Sequence, residues 1–320
     1  MSYASASVRL SVIIPTKDRS TTLIRVLRAL EHQYCDKKLF EVIVIDDKSS
    51  DDTFSVLKGF AGKTHLNFRF LTGGGTTPGA ARNIGLHHAR GDWVLFLDAD
   101  TIPDSYVIRQ HLHYHQKMDE SVCVIGYVHM DSQLEQVEQA RRNETMLTFS
   151  PHTWLSWPEY RTANSSMSRQ RCLGVGGFDE TLVAAEDTEL SSRLARRGMC
   201  FYYIDSIRVC HSHPMDVNGY FKKGQLYGQA AAFWYKKSPD LRPLLVQRYG
   251  VFARETHFYK KIKYIARSII VNRLTVPAIA FWGHRIRSTW TESSDRLYQC
   301  VYRYRTRRAF RQYMTRNANG

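Results

Sequence analysis

Paired cysteines, nucleotide-loop signatures and long apolar runs are all missing from this 320-residue sequence, and each absence narrows what the chain can do. Six cysteines (Cys35, Cys123, Cys172, Cys200, Cys210 and Cys300) are scattered, with no CxxC pair and no zinc-like spacing. That removes a disulfide scaffold and a structural zinc, and leaves reduced packing residues as the expectation. The opening MSYASASVRLSVIIPT has no charged segment followed by an apolar one, so a cytoplasmic start is expected. In the C-terminal part the longest uncharged piece, LTVPAIAFWGH (274–284), has 11 residues including a proline. A bilayer-spanning helix needs about 20. The glycine-rich stretch GGGTTPGAARNIG (73–85) is neither GxGxxG nor GxxxxGK[ST], which takes most support from dinucleotide and P-loop readings. No internal repeat or low-complexity segment is present.

Charge is present in excess and unevenly placed. Residues 1–214 hold 24 Lys+Arg against 25 Asp+Glu, a net of −1, whereas residues 215–320 hold 21 against 5, a net of +16. The division suggests a folded catalytic or binding domain over 1–214 and a basic, mainly helical region over 215–320. The second suits an anionic partner: lipid headgroups, nucleic acid or a phosphorylated acceptor.

Apolar β-rich runs alternate with helical stretches along the first region. Strands are expected at 9–16, 40–47, 67–72 and 92–100, with helices at about 20–33, 52–61, 79–90 and 104–117. This order predicts an α/β fold with a doubly wound, mostly parallel sheet. A strand at 121–130, a polar helix near 133–147, a helix from Glu186 to about Arg197 ended by Gly198, and a strand at 201–213 follow. In the tail, Phe258, Ile262, Ile265 and Ile269 recur at helical spacing, with Lys263 and Arg267 on another face.

In open parallel sheets ligands bind beyond the carboxyl ends of the strands. Three such ends carry acids: Asp46 and Asp47 after the second strand, and Asp98 and Asp100 after the fourth, with Pro15, Thr16, Lys17, Asp18 and Arg19 ending the first. Residues i and i+2 of an extended chain point the same way, so Asp98 and Asp100 in WVLFLDADTIPD are expected to share one small volume. Neighbouring carboxylates repel unless a cation intervenes, and a Mg²⁺ or Mn²⁺ ion completed by phosphate oxygens fits them. Asp104, after Pro103, is expected to cap a helix. Asp46 is read as a strand-end residue bonding backbone amides.

Taken in order, SVIIPTKDR, VIVIDDKSSDDT, PGAARNIGLHHARGDWVLFLDADTIPD, GGFDE and EDTELSSRLARRG resemble the family 2 glycosyltransferases, an inverting group with the GT-A nucleotide-diphospho-sugar transferase fold. The match runs from about Leu10 to His213. The resemblance implies that Pro15 and Thr16 line a nucleoside pocket with Arg19 nearby, and that Asp47 accepts from the nucleobase. It implies that Asp98 orients the ribose or sugar, that Asp100 holds a divalent metal on the diphosphate, and that Arg82 approaches the donor sugar and phosphates, with Asn83 structural. Asp187, the second acid of the ED pair, is implied as the base that deprotonates the acceptor hydroxyl, with Glu186 an acceptor contact or the alternative base. Both acids also suit a helix N-terminus.

Of the histidines, His87 and His88 are read as solvent or packing residues. His211 and His213 lie at the end of the last strand, where the resemblance implies a metal or diphosphate contact, His211 being preferred. Trp154 and Trp157 could stack on an acceptor sugar or pack beneath their loop.

The expected partners are therefore a nucleotide-sugar donor, a UDP-sugar first and dTDP-rhamnose or GDP-mannose behind it, and a sugar or lipid-linked acceptor. An anionic membrane surface is favoured for the basic tail over nucleic acid, which YRYRTRRAFRQY (302–313) keeps open. A nucleotidyltransferase is the alternative enzyme, but it wants a Gly-rich basic loop directly after the first strand, and Pro15-Thr16-Lys17-Asp18 supplies a poor one. A non-catalytic sugar- or lipid-binding protein would tolerate loss of the acids, all of which are present.

Overall fold

The computed structural model describes residues 7–73, 77–131, 149–212, 217–249, 271–285 and 291–316. The expected helix near 133–147, the tail stretch 257–270, Gly74, Gly75 and His213 lie outside them. The chain divides into two compact units, Met1–Leu134 with Met146–His213, and Glu135–Thr145 with Pro214–Gly320.

The first unit is built on one nine-stranded sheet. Strands β1 (Leu10–Thr16), β2 (Phe40–Asp46), β3 (Asn67–Thr72) and β4 (Trp93–Leu97) lie side by side in the order β3-β2-β1-β4, all parallel. Their near-continuous apolar sequences follow from burial on both faces. The alternation of side chains divides them between two cores. Val12, Ile14, Val42, Val44, Leu95 and Leu97 pack on one face with α1 (Ser20–Glu31), α2 (Thr53–Ala61) and α4 (Val107–Lys117). Ile13, Ile43, Ile45, Val94 and Phe96 pack on the other with α3 (Pro78–His88), α5 (Arg169–Gly174) and α6 (Glu186–Arg196). Gly85 lets α3 approach the sheet, because a Cβ there would come within 2.5 Å of Ile13 and 2.7 Å of Ile45.

Beyond β4 the sheet continues through β8 (Asn164–Ser168), β6 (Val122–Met130), β9 (Cys200–His211) and β5 (Thr101–Pro103), with β7 (Thr153–Leu155) also on β9. β6 and β9 are parallel, whereas β8, β5 and β7 run antiparallel to their neighbours. None of those three was expected from the sequence. β5 also moves a helix start. Pro103 pairs with Val209 and Asp104 N donates to Arg208 O, so α4 begins only at Val107, with no side-chain cap where Asp104 was expected to provide one.

β8 reads NSSMS, yet all five residues are buried. Its polar groups are met by α4. His111 Nε2 lies 3.0 Å from Asn164 Oδ1, and Ser166 Oγ lies 2.7 Å from His111 Nδ1 and 2.6 Å from His115 Nε2, while Trp93 stacks on His115 at 3.8 Å. At the amino end of the sheet, wholly buried Glu41 accepts from Ser11, Arg69 and Arg90. Cys123 and Cys172 are core residues, but Cys200 and Cys300 are exposed and correct the expectation that all six cysteines serve packing.

In the second unit, α7 (Val217–Lys237), α8 (Arg242–Tyr249), α9 (Val276–Arg285) and α10 (Thr291–Arg316) are the α-helices among the described residues. A core of Tyr220, Phe221, Val276, Tyr298 and Val301 joins α7, α9 and α10. Gly224 brings α7 against α10 so closely that a Cβ would come within 2.8 Å of Tyr302. Among the described residues no helix is long and apolar enough to cross a membrane.

Candidate active site

The carboxyl ends of β1 and β2 are in register, Thr16 opposite Asp46, and Asp47 N donates to Thr16 O at 2.9 Å. Thr16 Oγ1 and Asp47 Oδ1 are both buried without a hydrogen-bond partner, and Lys17 Nζ stands 3.9 Å from Asp47 Oδ2. Buried polar atoms are almost always paired, so two neighbouring orphans at one strand end make this a candidate ligand contact. Pro15 precedes them, half-buried. Asp46 turns away and accepts from Ser49 N at 3.2 Å and Ser49 Oγ at 2.5 Å. Arg19 caps α1 and donates from Nη1 to Asp18 O at 3.1 Å, which keeps it on the β1–α1 loop.

The glycine-rich loop ends where Thr77 caps α3, accepting from Ala80 N, and one turn later Arg82 enters the site. Its guanidinium bridges two carboxylates, Nη2 to Asp98 Oδ1 and Nη1 to Glu186 Oε1, both at 2.7 Å. The Phe178 ring lies 5.6 Å from the guanidinium. The burial that would depress the Arg82 pKa is outweighed by Asp98 and Glu186, and the group stays charged. Asn83 is structural, as expected: Nδ2 donates to Phe178 O and Glu180 Oε1, and Oδ1 accepts from Phe178 N.

Residues 98–101 form a tight turn in which Thr101 Oγ1 accepts from Asp98 N at 3.0 Å and donates to Asp98 O at 2.8 Å. This turn separates the two acids. Asp98 is held by Arg82, whereas Asp100 Oδ1 is buried without a hydrogen bond and lies 3.5 Å from His211 Nε2. The expected convergence of Asp98, Asp100 and His211 is thus not observed, and among the described residues no three metal-ligating side chains gather. Asp100 and His211 alone fit a divalent ion that takes its remaining ligands from a substrate's oxygens, an oxygen and imidazole donor set.

A neighbouring network was not foreseen. Arg25 Nη1 donates to Ser212 Oγ at 2.7 Å, Ser212 Oγ donates to Asp131 Oδ2 at 2.9 Å, and Ser212 N donates to Asp100 O at 2.8 Å. It ties α1, the end of β6 and the end of β9 around His211. The strand-end position of Asp131 after YVHM was the one signal available in the sequence.

Glu186 and Asp187 open α6, behind Ala185 in a left-handed conformation with φ of 61°. Burial pushes the Glu186 carboxyl up against the pull of Arg82, and adjacent Asp187 adds to the rise. Asp187 is half-buried; its Oδ1 accepts from Thr188 N at 2.7 Å, and among the described residues Oδ2 has no hydrogen-bond partner. Glu186 is therefore committed to Arg82, while Asp187 keeps an oxygen available. Trp157 packs against the core beside α6, its carbonyl accepting from Ser191 Oγ. Trp154 is 58% exposed and lies on Tyr202. Along β6 the level of Tyr202 is six residues from that of His211, roughly 20 Å at 3.3 Å per residue, so Trp154 does not join the group around Asp100.

The model of the glycosyl transferase family 2, described as "Glycosyl transferase family 2", matches residues 11–172. The chain is 36% identical over 93 residues to the poly(ribitol-phosphate) beta-N-acetylglucosaminyltransferase TarS of Staphylococcus aureus (strain Mu50 / ATCC 700699), covering 29% of this chain and 16% of TarS. It is 28% identical over 261 residues to the uncharacterized glycosyltransferase YfnE of Bacillus subtilis (strain 168), covering 65% of this chain and 66% of YfnE. Among solved structures, S. aureus TarS 1–349 in complex with UDP superposes with a TM-score of 0.55 at 16% identity, covering 97% of this chain and 92% of that one. The mannosyltransferase PcManGT of Pyrobaculum calidifontis, in complex with GDP-Man and Mn²⁺, gives 0.62 at 18% identity, covering 97% and 88%. These likenesses give the chain the GT-A fold. With more than half of its residues matched by the family model, the chain belongs to glycosyl transferase family 2.

Proposed function

We propose that the chain transfers a sugar from a nucleotide-diphosphate donor, with inversion, to an acceptor hydroxyl in glycan or glycolipid biosynthesis. The observation that carries this reading is the set of three buried, partnerless side-chain oxygens at strand ends: Thr16 Oγ1, Asp47 Oδ1 and Asp100 Oδ1. The first two suit a nucleobase and ribose, with Pro15 as wall and Lys17 and Arg19 at the rim. Asp100 and His211 would hold a Mn²⁺ or Mg²⁺ ion, which when bound neutralises the departing diphosphate. Asp98, fixed by Arg82, orients the donor sugar. A UDP-sugar is preferred, with dTDP-rhamnose and GDP-mannose next, because a carboxylate at Asp47 accepts readily from a pyrimidine imide.

In the transfer, the acceptor oxygen forms a bond to the anomeric carbon as the bond from that carbon to the diphosphate oxygen breaks. The diphosphate leaves with the electron pair, and Asp187 Oδ2 takes the hydroxyl proton. Glu186 is held by Arg82 and sits beside the acceptor as a positioning group. The basic second unit supports attachment to an anionic membrane surface: α10 carries seven arginines against two acids. A lipid-linked acceptor would then be presented at that surface.

Calorimetric titration of UDP, dTDP and GDP with Mn²⁺, repeated without metal and with Asp100→Ala, tests the donor site. Metal-dependent binding of one nucleotide, lost in the variant, is expected; no binding of any to folded protein would overturn the reading. Asp187→Asn is expected to lower turnover by about 10²–10⁴-fold while leaving nucleotide affinity within a factor of three. Undiminished turnover would remove Asp187 as the base.

A further inference from the structure

The second unit contains a cavity of about 370 Å³ that the donor site does not use. We infer that it is a binding site for an organic phosphate, a phosphate ester with a small hydroxylated substituent. Among the described residues three arginines line it, Arg273, Arg305 and Arg308, and no acidic residue does. Guanidinium groups left without a lining carboxylate match the charge and the paired oxygens of a phosphate.

The geometry of the helices produces this concentration. Arg305, Arg308 and Gln312 are spaced i, i+3 and i+7 on α10, so they share one helix face. The close α7–α10 approach at Gly224 sets Gln225 of α7 on the same cavity. The Arg305 guanidinium carbon lies 5.1 Å from the centre of the Phe221 ring, within cation–π range, so the ring helps to hold the group at the cavity.

The size and the remaining walls refine the ligand. The volume falls within the range of small-molecule sites and exceeds what a bare phosphate ion fills. Gln225, Gln312 and Tyr304 offer neutral donors and acceptors for hydroxyl groups, while Val276, Pro277 and Ala309 give a short carbon skeleton an apolar wall. A glycerophosphate has these features, whether it belongs to a lipid headgroup or to a soluble or polymeric ester. The inference is independent of glycosyl transfer, because every described lining residue belongs to the second unit.

The test uses the full chain with two probes: glycerol 3-phosphate by calorimetry, and phosphatidylglycerol vesicles against phosphatidylcholine vesicles by pelleting. The variants are Arg308→Gln, at an exposed side chain, Arg308→Lys, which keeps the charge, and Arg303→Gln, an equal charge change on α10 outside the cavity. Thermal melts confirm that each is folded. Arg308→Gln is expected to weaken binding about tenfold and Arg308→Lys severalfold, with Arg303→Gln within twofold. Loss seen with both probes identifies a free or polymeric ester; loss seen only with phosphatidylglycerol vesicles identifies the lipid headgroup. Equal weakening by Arg303→Gln and Arg308→Gln, or no saturable binding of either probe, would overturn the site.

Discussion

Arginine does opposite work in the two units. In the first, the Arg82 side chain is 5% exposed and its guanidinium is shared between Asp98 and Glu186. In the second, Arg305 and Arg308 line a cavity with no acidic residue among the described residues of its wall. The first unit balances its charge within itself, with 22 basic against 22 acidic residues over 1–134 and 146–213, whereas 23 against 8 over 135–145 and 214–320 leaves the second to find anions elsewhere. A charge that is buried and paired holds a site together; a charge left on a cavity wall recruits a ligand.

Removing one guanidinium from each unit gives the sharpest contrast. Arg82→Met leaves Asp98 and Glu186 without their shared cation, and breaking a buried ion pair in this way costs about 3–5 kcal/mol. Arg308→Gln, at the exposed cavity, is expected to change stability by no more than about 0.5 kcal/mol. Denaturant midpoints for the two variants measure the gap. A cost below about 1 kcal/mol for Arg82→Met would abolish the distinction.

Acid should separate the units next. His111 and His115 are buried between α4 and β8, and burial holds their pKa values down at about 4 and about 3. Unfolding returns each to about 6.5, so the unfolded chain binds more protons. The sign follows: this contribution is fully present above about pH 6.5 and is lost as pH falls towards the folded-state values. Each histidine should steepen the fall by about 1.4 kcal/mol per pH unit within that window. His115→Gln is expected to remove about half of the combined slope between pH 6 and 5, measured by denaturant titration of the first-unit transition. A slope unchanged by the substitution would show that burial of the ring is not what makes the unit acid-sensitive.

These histidines also show where sequence reading stops. β1, β2 and β4 were legible because a strand buried on both faces must be apolar throughout, as VIIP, VIVI and VLFL are. β8 was not, because NSSMS is buried through hydrogen bonds to His111 and His115, which lie on α4, 53 and 51 residues from their partners. The site followed the same rule. Strand-end position marked Thr16, Asp47, Asp98 and Asp100 individually, and helix-start position marked Glu186 and Asp187. That Arg82 would claim Asp98 and leave Asp100 to His211 depends on contacts between residues 16 and 104 positions apart, and on the Thr101 turn that separates the two acids.

The smallest predicted effect concerns strain, which is also divided between the units. Among the described residues, the non-glycine residues with positive φ are Asp18, Lys48, His152 and Ala185, all in the first unit. Three of them adjoin the site: Asp18 follows Thr16 by two residues, Lys48 follows Asp47, and Ala185 precedes Glu186. A left-handed alanine costs roughly 1–2 kcal/mol, and glycine relieves this while giving back part of the gain through its freer unfolded chain. Ala185→Gly should therefore stabilise the first unit by somewhat less than about 1 kcal/mol. It should also loosen the entry to α6, so that Asp187 is aimed less firmly and turnover falls severalfold with nucleotide affinity unchanged. A higher melting temperature with lower turnover would mean that the strain serves to position the base. A variant that melts lower would mean that Ala185 Cβ contributes packing that outweighs its backbone strain.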